Sequence, residues 1–157
     1  GNLTLLVNKK FILLHSVHRY VHREERMELR FPLPETMIFA EKRLEFRVEE
    51  NNYEGKNLKI YKKLLSDSLN YDTIPNSMIL RTWLSGDVFY QAGRGVGKTV
   101  KKLFNELRVP LEERNRLLIL EGGGRILWIE GVGVSEGAQV SQDTKRILRI
   151  FVRRMKG

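Results

Sequence analysis

Residues 80–104 read LRTWLSGDVFYQAGRGVGKTVKKLF and combine a short apolar segment, a glycine-rich turn and a basic amphipathic segment. Four apolar residues after the turn recur at positions i, i+3, i+4 and i+7, so they share one face of a helix, which we predict over residues 97–108. They are Val100, Leu103, Phe104 and Leu107. The opposite face then presents Lys98, Lys101 and Lys102. A helix that buries its apolar stripe turns these lysines toward solvent, which suits a phosphate-bearing partner.

The glycine-rich turn is the second feature that suits phosphate, because it leaves backbone N–H groups free where the predicted helix begins. Residues 92–99, AGRGVGKT, also approach the Walker A pattern, with alanine in place of its first glycine. A P-loop needs a parallel sheet and a Mg-binding aspartate after a second apolar strand. The later apolar run LLILE instead ends in Glu121. Nucleotide hydrolysis is therefore the less favoured alternative, and a solvated basic helix without a ligand also stays open.

Positive charge is concentrated in the second half of the chain. The 157 residues carry 28 Lys and Arg against 19 Asp and Glu, a net charge of +9. Residues 1–76 hold 13 basic and 11 acidic side chains, whereas residues 77–157 hold 15 and 8. Because a polyanion binds such a surface through counterion release, nucleic acid is the favoured class of partner.

Length and composition limit the other classes. A chain of 157 residues, 41% of them hydrophobic, is long enough for one domain with a core. No apolar run approaches the roughly 18 residues of a membrane span, so we expect no membrane partner. The absence of cysteine excludes disulfides, thiolate metal sites and cysteine nucleophiles. The start at Gly1 instead of methionine suggests a piece of a longer protein.

Short strand patterns fill most of the chain. We predict strands at residues 3–7, 10–17, 27–31, 37–40, 43–48, 78–83, 117–120, 125–129 and 146–152. A loop at 50–56, a short helix near 58–65, a turn at 71–76 and a second short helix at 111–116 complete the prediction. Because the elements never alternate as βαβ units, the fold class is α+β, a β-sandwich-like core of mostly antiparallel short strands with two or three short helices. We expect a single β-rich domain over residues 1–157, with 51–76 as a connecting segment.

No group of residues predicts catalysis or a metal site. His15, His18 and His22 would share a face of a helix, but a strand turns His15 and His18 to opposite faces. No cysteine or acidic cluster accompanies them, so we predict no metal ligands. Asp87, which follows Gly86, fits a turn or cap better than an acid–base role. The chain alone is predicted to be catalytically inactive.

Spaced anchor residues between Met78 and Ile150 form a pattern that is more specific than any single motif. They are Leu80-Arg81, Gly86-Asp87, Gly93, Lys101-Lys102, Phe104, Pro110, Arg114, Leu127-Trp128, Gly131 and Thr144-Lys145. This pattern resembles the C-terminal domain of tRNA(Ile)-lysidine synthetases, with a family-like core at residues 78–150. The chain departs from the family at Val88 and near Gly133, where arginine is usual, and at Gln91, where proline is usual.

The resemblance implies a sandwich-like domain that binds a minor isoleucine tRNA on its acceptor-stem side. The family enzyme adenylates an anticodon cytidine with ATP and then attaches lysine, which makes lysidine. Its ATP site is an N-terminal PP-loop with a Ser-Gly-Gly-x-Asp-Ser signature, which these residues lack. The resemblance thus implies no cofactor in this chain, ATP and Mg in a separate catalytic domain, a cytoplasmic location and, for the full-length enzyme, a homodimer as one arrangement. An RNA-binding module of another tRNA enzyme, such as a phenylalanyl synthetase β chain, is the alternative.

The helix pattern and the resemblance together predict tRNA contacts at basic residues of the second half. The predicted contacts are Arg81, Arg94, Lys98, Lys101, Lys102 and Arg114. We expect the last five to line one groove at the N-terminal side of the helix, with Arg81 joining from the preceding strand. The family arginines missing at Val88 and Gly133 reduce the expected number of contacts.

Overall fold

The computed structural model describes residues 25–52 and 66–155. The strands of this part are β1 (Arg26–Arg30), β2 (Thr36–Phe39), β3 (Lys42–Glu50), β4 (Ser68–Asn70), β5 (Ser77–Arg81), β6 (Val88–Phe89), β7 (Lys98–Thr99), β8 (Ile119–Gly122), β9 (Arg125–Ile129), β10 (Gly133–Val134) and β11 (Arg146–Arg154). The helices are α1 (Val100–Glu106) and α2 (Leu111–Arg114). The strands predicted at 3–7 and 10–17, the three histidines and the helix predicted near 58–65 lie outside the described residues.

Two antiparallel sheets form the body of the fold. The five-stranded sheet has the order β1-β5-β8-β9-β10 and the four-stranded sheet the order β2-β3-β11-β4. Alternate residues of β3, Leu44 and Phe46, are buried in one cluster with Leu80 of β5 and Leu120 of β8. This alternation is what a half-buried antiparallel strand requires, and the two inner faces share their apolar side chains. The predicted α+β fold with an antiparallel, sandwich-like core is confirmed.

A third layer covers the other face of the five-stranded sheet. Ile119 follows Leu118 and precedes Leu120 on the chain, so its side chain points away from the sandwich core. There it joins a second buried cluster with Val100, Leu103 and Phe104 of α1. The five-stranded sheet is therefore buried on both faces, and α1 is the outer layer on one side.

Helix α1 is shorter than the predicted span of 97–108. It begins at Val100 because Lys98 and Thr99 form β7, which pairs with β6. The Thr99 side chain then caps the helix, and its Oγ1 accepts a hydrogen bond from the Lys102 amide at 3.1 Å. The helix ends at Glu106, and Leu107 is 50% exposed, so the prediction that Leu107 is buried is wrong.

Other differences from the predicted elements concern short or extended strands. The strands β4, β6, β7 and β10 have two or three residues each, too few to show an alternating pattern. Strand β11 continues to Arg154, beyond the predicted end at residue 152, because each of its nine residues pairs with a residue of β3. Helix α2 has four residues, and Pro110 precedes its first turn, as predicted. No helix in the described part of the chain is long and apolar enough to cross a membrane.

Candidate nucleic-acid interface

The glycine-rich turn connects β6 to β7 as the loop of a short hairpin. Gly93 and Gly95 have φ angles of 81° and 72°, which lie in the left-handed region that favours glycine. Gly97 lies under the Tyr90 ring, so a Cβ atom there would be 2.6 Å from Cε1 and the exposed ring would have to move aside. The conformation of the hairpin therefore explains the glycines at positions 93 and 95, and the Tyr90 ring favours the one at position 97.

The hairpin differs from a P-loop, although its sequence approaches the Walker A pattern. Lys98 and Thr99 lie in a strand antiparallel to β6, and the strand pairs of the described residues are antiparallel. A P-loop instead follows a buried parallel strand and leads directly into a helix that holds phosphate. The Lys98 ammonium is also paired, since its Nζ lies 2.6 Å from Oε1 of Glu106.

Three of the predicted basic residues surround Glu106, the last residue of α1. The hydrogen bond from Lys98 is the largest influence that holds the pKa of the Glu106 carboxyl below its usual value, and the charges of Lys98, Lys102 and Arg94 act in the same direction. Lys102 lies one helical turn before Glu106, the i,i+4 spacing at which side chains meet. We call these four residues the Glu106 cluster. It carries three cations around one carboxylate.

A shallow, open pocket lies between the glycine-rich turn and α1. Its lining joins apolar and charged groups, and consists of Phe89, Gln91, Arg94, Val96, Lys98, Leu103, Glu106 and Leu107. The exposure of Leu107 follows from this position, because its side chain borders the pocket. Glu106 is a residue of this site that the sequence patterns did not predict, although its i,i+4 spacing from Lys102 is a usable signal.

Lys101 and Arg114, two of the predicted contacts, lie at different ends of α1. Lys101 and Lys102 are both exposed, as the helix pattern predicted. Arg114 instead packs near Phe104, with its guanidinium carbon 6.0 Å from the ring centroid, and its Nε donates to the Val109 carbonyl at 2.9 Å. The structure thus brings Arg94, Lys98 and Lys102 together and puts Arg114 beyond the C-terminal end of α1, not in a groove at its start.

Arg81 is the predicted contact that the structure places in the interior. Its side chain is 5% exposed, and its guanidinium pairs with Asp87 at 2.9 Å and with Glu121 at 2.7 Å. Burial opposes the charge, but the hydrogen bonds and charges of both carboxylates outweigh it, so the pKa of Arg81 is raised. A guanidinium occupied in this way has no donors turned toward a ligand in solvent. Arg81 is therefore not part of the exposed basic surface.

Asp87 both pairs with the buried Arg81 guanidinium and closes a turn. Its Oδ2 accepts a hydrogen bond from the Leu84 amide at 2.7 Å, and its backbone N–H donates to the Leu84 carbonyl at 3.1 Å. The prediction that Asp87 is a turn residue is confirmed. Together with Arg81 it fixes the turn before β6, so that the hairpin keeps its position on the five-stranded sheet.

The profile of the TilS substrate C-terminal domain matches residues 78–150. Residues 78–150 belong to the TilS C-terminal domain family. A tRNA(Ile)-lysidine synthase of Clostridium acetobutylicum is 39% identical over 75 residues, which cover 48% of this chain and 16% of that protein. One of Dehalococcoides mccartyi is 32% identical over 85 residues, which cover 54% of this chain and 18% of that protein. The chain thus spans less than a fifth of the length of these two relatives.

A solved structure supports the fold of the TilS domain. The crystal structure of a TilS C-terminal domain superposes with a TM-score of 0.64 at 20% identity, and covers 85% of this chain and 100% of that one. Several anchor residues of the TilS pattern have structural roles here. The Trp128 Nε1 donates to Asp67 at 2.9 Å, and the Thr144 Oγ1 accepts from the Ser141 amide at 2.9 Å. The first contact links β9 to the segment that precedes β4, and the second closes the turn before β11.

Val88 and Gly133, where the resemblance led us to expect an arginine at or near the position, differ in kind. Val88 is 40% exposed on β6 and faces Thr99, the cap of α1, across the hairpin. An arginine there would extend the basic surface. Gly133 is buried with a φ angle of 137°, a conformation that other residues rarely adopt.

In the part of the chain that the structure describes, no cluster of three or more His, Cys, Asp and Glu side chains could hold a metal ion.

Proposed function

We propose that this chain is the tRNA-binding C-terminal portion of a tRNA(Ile)-lysidine synthase, and that it binds tRNA through the exposed side of α1 and the Glu106 cluster. The observation that carries the proposal is the grouping of Arg94, Lys98 and Lys102 beside exposed Lys101, on a domain of the TilS family. Phosphate contacts of this kind position a nucleic acid and carry little sequence information. The domain would therefore help to place the tRNA, while a minor isoleucine tRNA would be selected with the rest of the enzyme.

The chemistry of the parent enzyme belongs to another part of it in this proposal. ATP and Mg would be held by a catalytic domain with a PP-loop, whose signature is missing from these 157 residues. The chain alone would bind tRNA without turning over ATP. The enzyme would act in the cytoplasm on an anticodon cytidine, and the full-length protein would be the form to examine for a homodimer.

The test is tRNA binding by the chain and by Lys101→Ala/Lys102→Ala, measured at one salt concentration. We expect the double variant to weaken binding by roughly 1–2 kcal/mol, about one phosphate contact for each lysine. Both lysines are exposed, so the melting temperature should hardly change.

The matched control is Arg125→Ala/Lys145→Ala, which removes the same charge at two exposed residues outside α1 and the Glu106 cluster. It should weaken tRNA binding less than the lysine pair does. Equal losses would mean that only the total charge matters. Parent-like binding by the lysine variant would refute the proposed surface, and ATP turnover that Lys98→Ala abolishes would restore the nucleotide alternative.

A further inference from the structure

The outer face of the four-stranded sheet carries a second basic surface. Strands β3 and β11 are its two central strands, and their inward residues, such as Leu44 and Ile150, fill the sandwich core. The residues between them must point outward, because side chains alternate along a strand. Ile147 also lies on this side, but it is buried against Val140. The other outward residues are Arg43, Glu45, Arg47, Glu49, Arg149, Phe151 and Arg153. We call them the arginine face.

Two pairs of arginines lie directly opposite each other on this face. Arg43 is in register with Arg153, and Arg47 with Arg149. Like charges at opposed positions of an antiparallel pair destabilise a sheet, because their β-carbons are only about 5 Å apart. An anion between the opposed guanidiniums would convert the repulsion into binding.

The carboxylates on the arginine face compensate only one of the two pairs. Glu45 contacts Arg47, and Glu49 lies 3.7 Å from Arg149. Within residues 25–52 and 66–155, Arg43 and Arg153 form no ion pair with a carboxylate. With four arginines and two glutamates, the face has a net positive charge whose unpaired part lies at the Arg43 and Arg153 end.

An aromatic ring lies in the middle of these charges. Phe151 is 37% exposed, and the guanidinium carbons of Arg47 and Arg149 are 4.9 and 5.3 Å from its ring centroid. The exposed Ile38 of β2 is in register with Arg43 and adds an apolar group at the same end. Nucleobases stack on aromatic rings and on guanidinium planes, and both groups are present here side by side. An acidic protein segment would use the charges but has no need of the ring.

We propose that the arginine face binds an unpaired segment of RNA, with a base stacked on Phe151 and its guanidiniums and a phosphate between Arg43 and Arg153. A paired segment fits less well, because its bases are stacked inside the duplex and cannot reach a flat sheet. This surface is separate from the one proposed for tRNA above. Both sheets lie between the arginine face and α1, so the two surfaces are on opposite sides of the domain.

The experiment measures binding of a fluorescently labelled ten-nucleotide oligouridylate to the whole 157-residue chain. The variants are Arg43→Gln/Arg153→Gln, which removes the unpaired charges, and Phe151→Leu, which keeps an apolar side chain but removes the ring. Arg30→Gln/Arg125→Gln is the charge-matched control, at two exposed residues of the five-stranded sheet that belong to neither proposed surface. We expect about tenfold weaker binding for the arginine variant, about fivefold weaker binding for the leucine variant, and a parent-like affinity for the control.

Three results would overturn the proposal. The control could weaken the oligonucleotide as much as the arginine variant does, which would mean that net charge alone governs binding. Phe151→Leu could bind like the parent, which would mean that no base stacks on the ring. A labelled oligoglutamate peptide could bind as tightly as the oligonucleotide and depend on the same arginines, which would identify an acidic protein segment as the occupant.

The outcome is distinguishable from that of the tRNA proposal. If tRNA binding does not depend on Lys101 and Lys102 but the oligonucleotide depends on Phe151, the helix surface fails and the arginine face stands. The reverse pattern leaves the helix surface intact and removes the arginine face. Thermal melting of each variant confirms that the fold is retained, since all of the substituted side chains are on the outside of the domain.

Discussion

The Glu106 carboxylate would compete with a phosphate for the cations of the Glu106 cluster. Its carboxylate already binds Lys98 and lies in the field of Lys102 and Arg94. A bound phosphate has to share these cations with it. We therefore expect Glu106→Gln to strengthen tRNA binding about threefold, because one repelling charge is removed next to the contact. The measurement is a titration of labelled tRNA at low salt.

Glu112→Gln is the control for this change, since Glu112 is an exposed residue of α2 that no ion pair of the described residues includes. An equal gain in both variants would show that the position of Glu106 has no particular effect on tRNA binding.

The pH dependence of stability gives a separate test of the Lys98–Glu106 ion pair. Because the Lys98 ion pair lowers the folded pKa of Glu106 below its usual value, the pair contributes stability above the unfolded pKa, and this contribution is lost as the pH falls through the folded pKa.

Arg81, unlike Glu106, carries its charge in the interior of the domain. Arg81→Met would leave Asp87 and Glu121 without their cation at a site that is only partly solvated. We expect a loss of about 3–5 kcal/mol in the free energy of unfolding, the usual result of removing one partner of a buried ion pair. Urea unfolding measures it. Exposed Arg125→Met is the control and should change stability by less than about 0.5 kcal/mol.

Helix α1 has its packing residues on one face and the proposed binding residues on the other. Phe104 is fully buried, and its ring contacts the Trp83 ring edge-on at a centroid distance of 5.8 Å. Phe104→Ala should cost roughly 3–5 kcal/mol of stability, through lost burial and the cavity that remains. Its tRNA affinity should fall only with the folded fraction. A folded Phe104→Ala protein with weakened binding at low temperature would contradict this division of roles.

The end of α1 offers a substitution that should stabilise it. Arg108 has a φ angle of 56°, its amide donates to the Asn105 carbonyl, and the Val109 amide donates to the Phe104 carbonyl. This is the Schellman arrangement, whose left-handed position glycine normally fills. We expect Arg108→Gly to raise the unfolding free energy by about 1 kcal/mol, as the strain of a side chain in that conformation is removed. A lower melting temperature than that of the parent would refute this.

Basic groups lie on two opposite outer surfaces of the domain, with both sheets between them. Since phosphate contacts release counterions, tRNA affinity should fall with salt, with a log–log slope near −0.7 to −0.9 for each phosphate contacted. Lys101→Ala/Lys102→Ala should make this slope shallower by about two contacts. A slope that does not change with the lysines would place the contacts elsewhere, and a salt-independent affinity would indicate a protein partner.

The sequence was sufficient wherever a pattern repeats over one exposed and one buried face. The alternation in β3 predicted the inward Leu44 and Phe46, and the i, i+3, i+4 spacing in α1 predicted the buried Val100, Leu103 and Phe104. The spaced anchors from Leu80 to Lys145 predicted the family, and residues 78–150 match it. These predictions succeed because side-chain periodicity is a local property of helices and strands.

Tertiary structure alone decided which basic residues stay available. Arg81 and Arg94 look alike in the sequence, yet one is enclosed by Asp87 and Glu121 and the other lies in an exposed turn. The carboxylates that enclose Arg81 lie 6 and 40 residues away along the chain, and only the pairing of β5 with β8 brings Glu121 beside it. The opposed arginines of β3 and β11 are likewise separated by about a hundred residues and meet through strand register. Periodicity shows which face a residue occupies, but the charges that it meets there depend on distant segments of the chain.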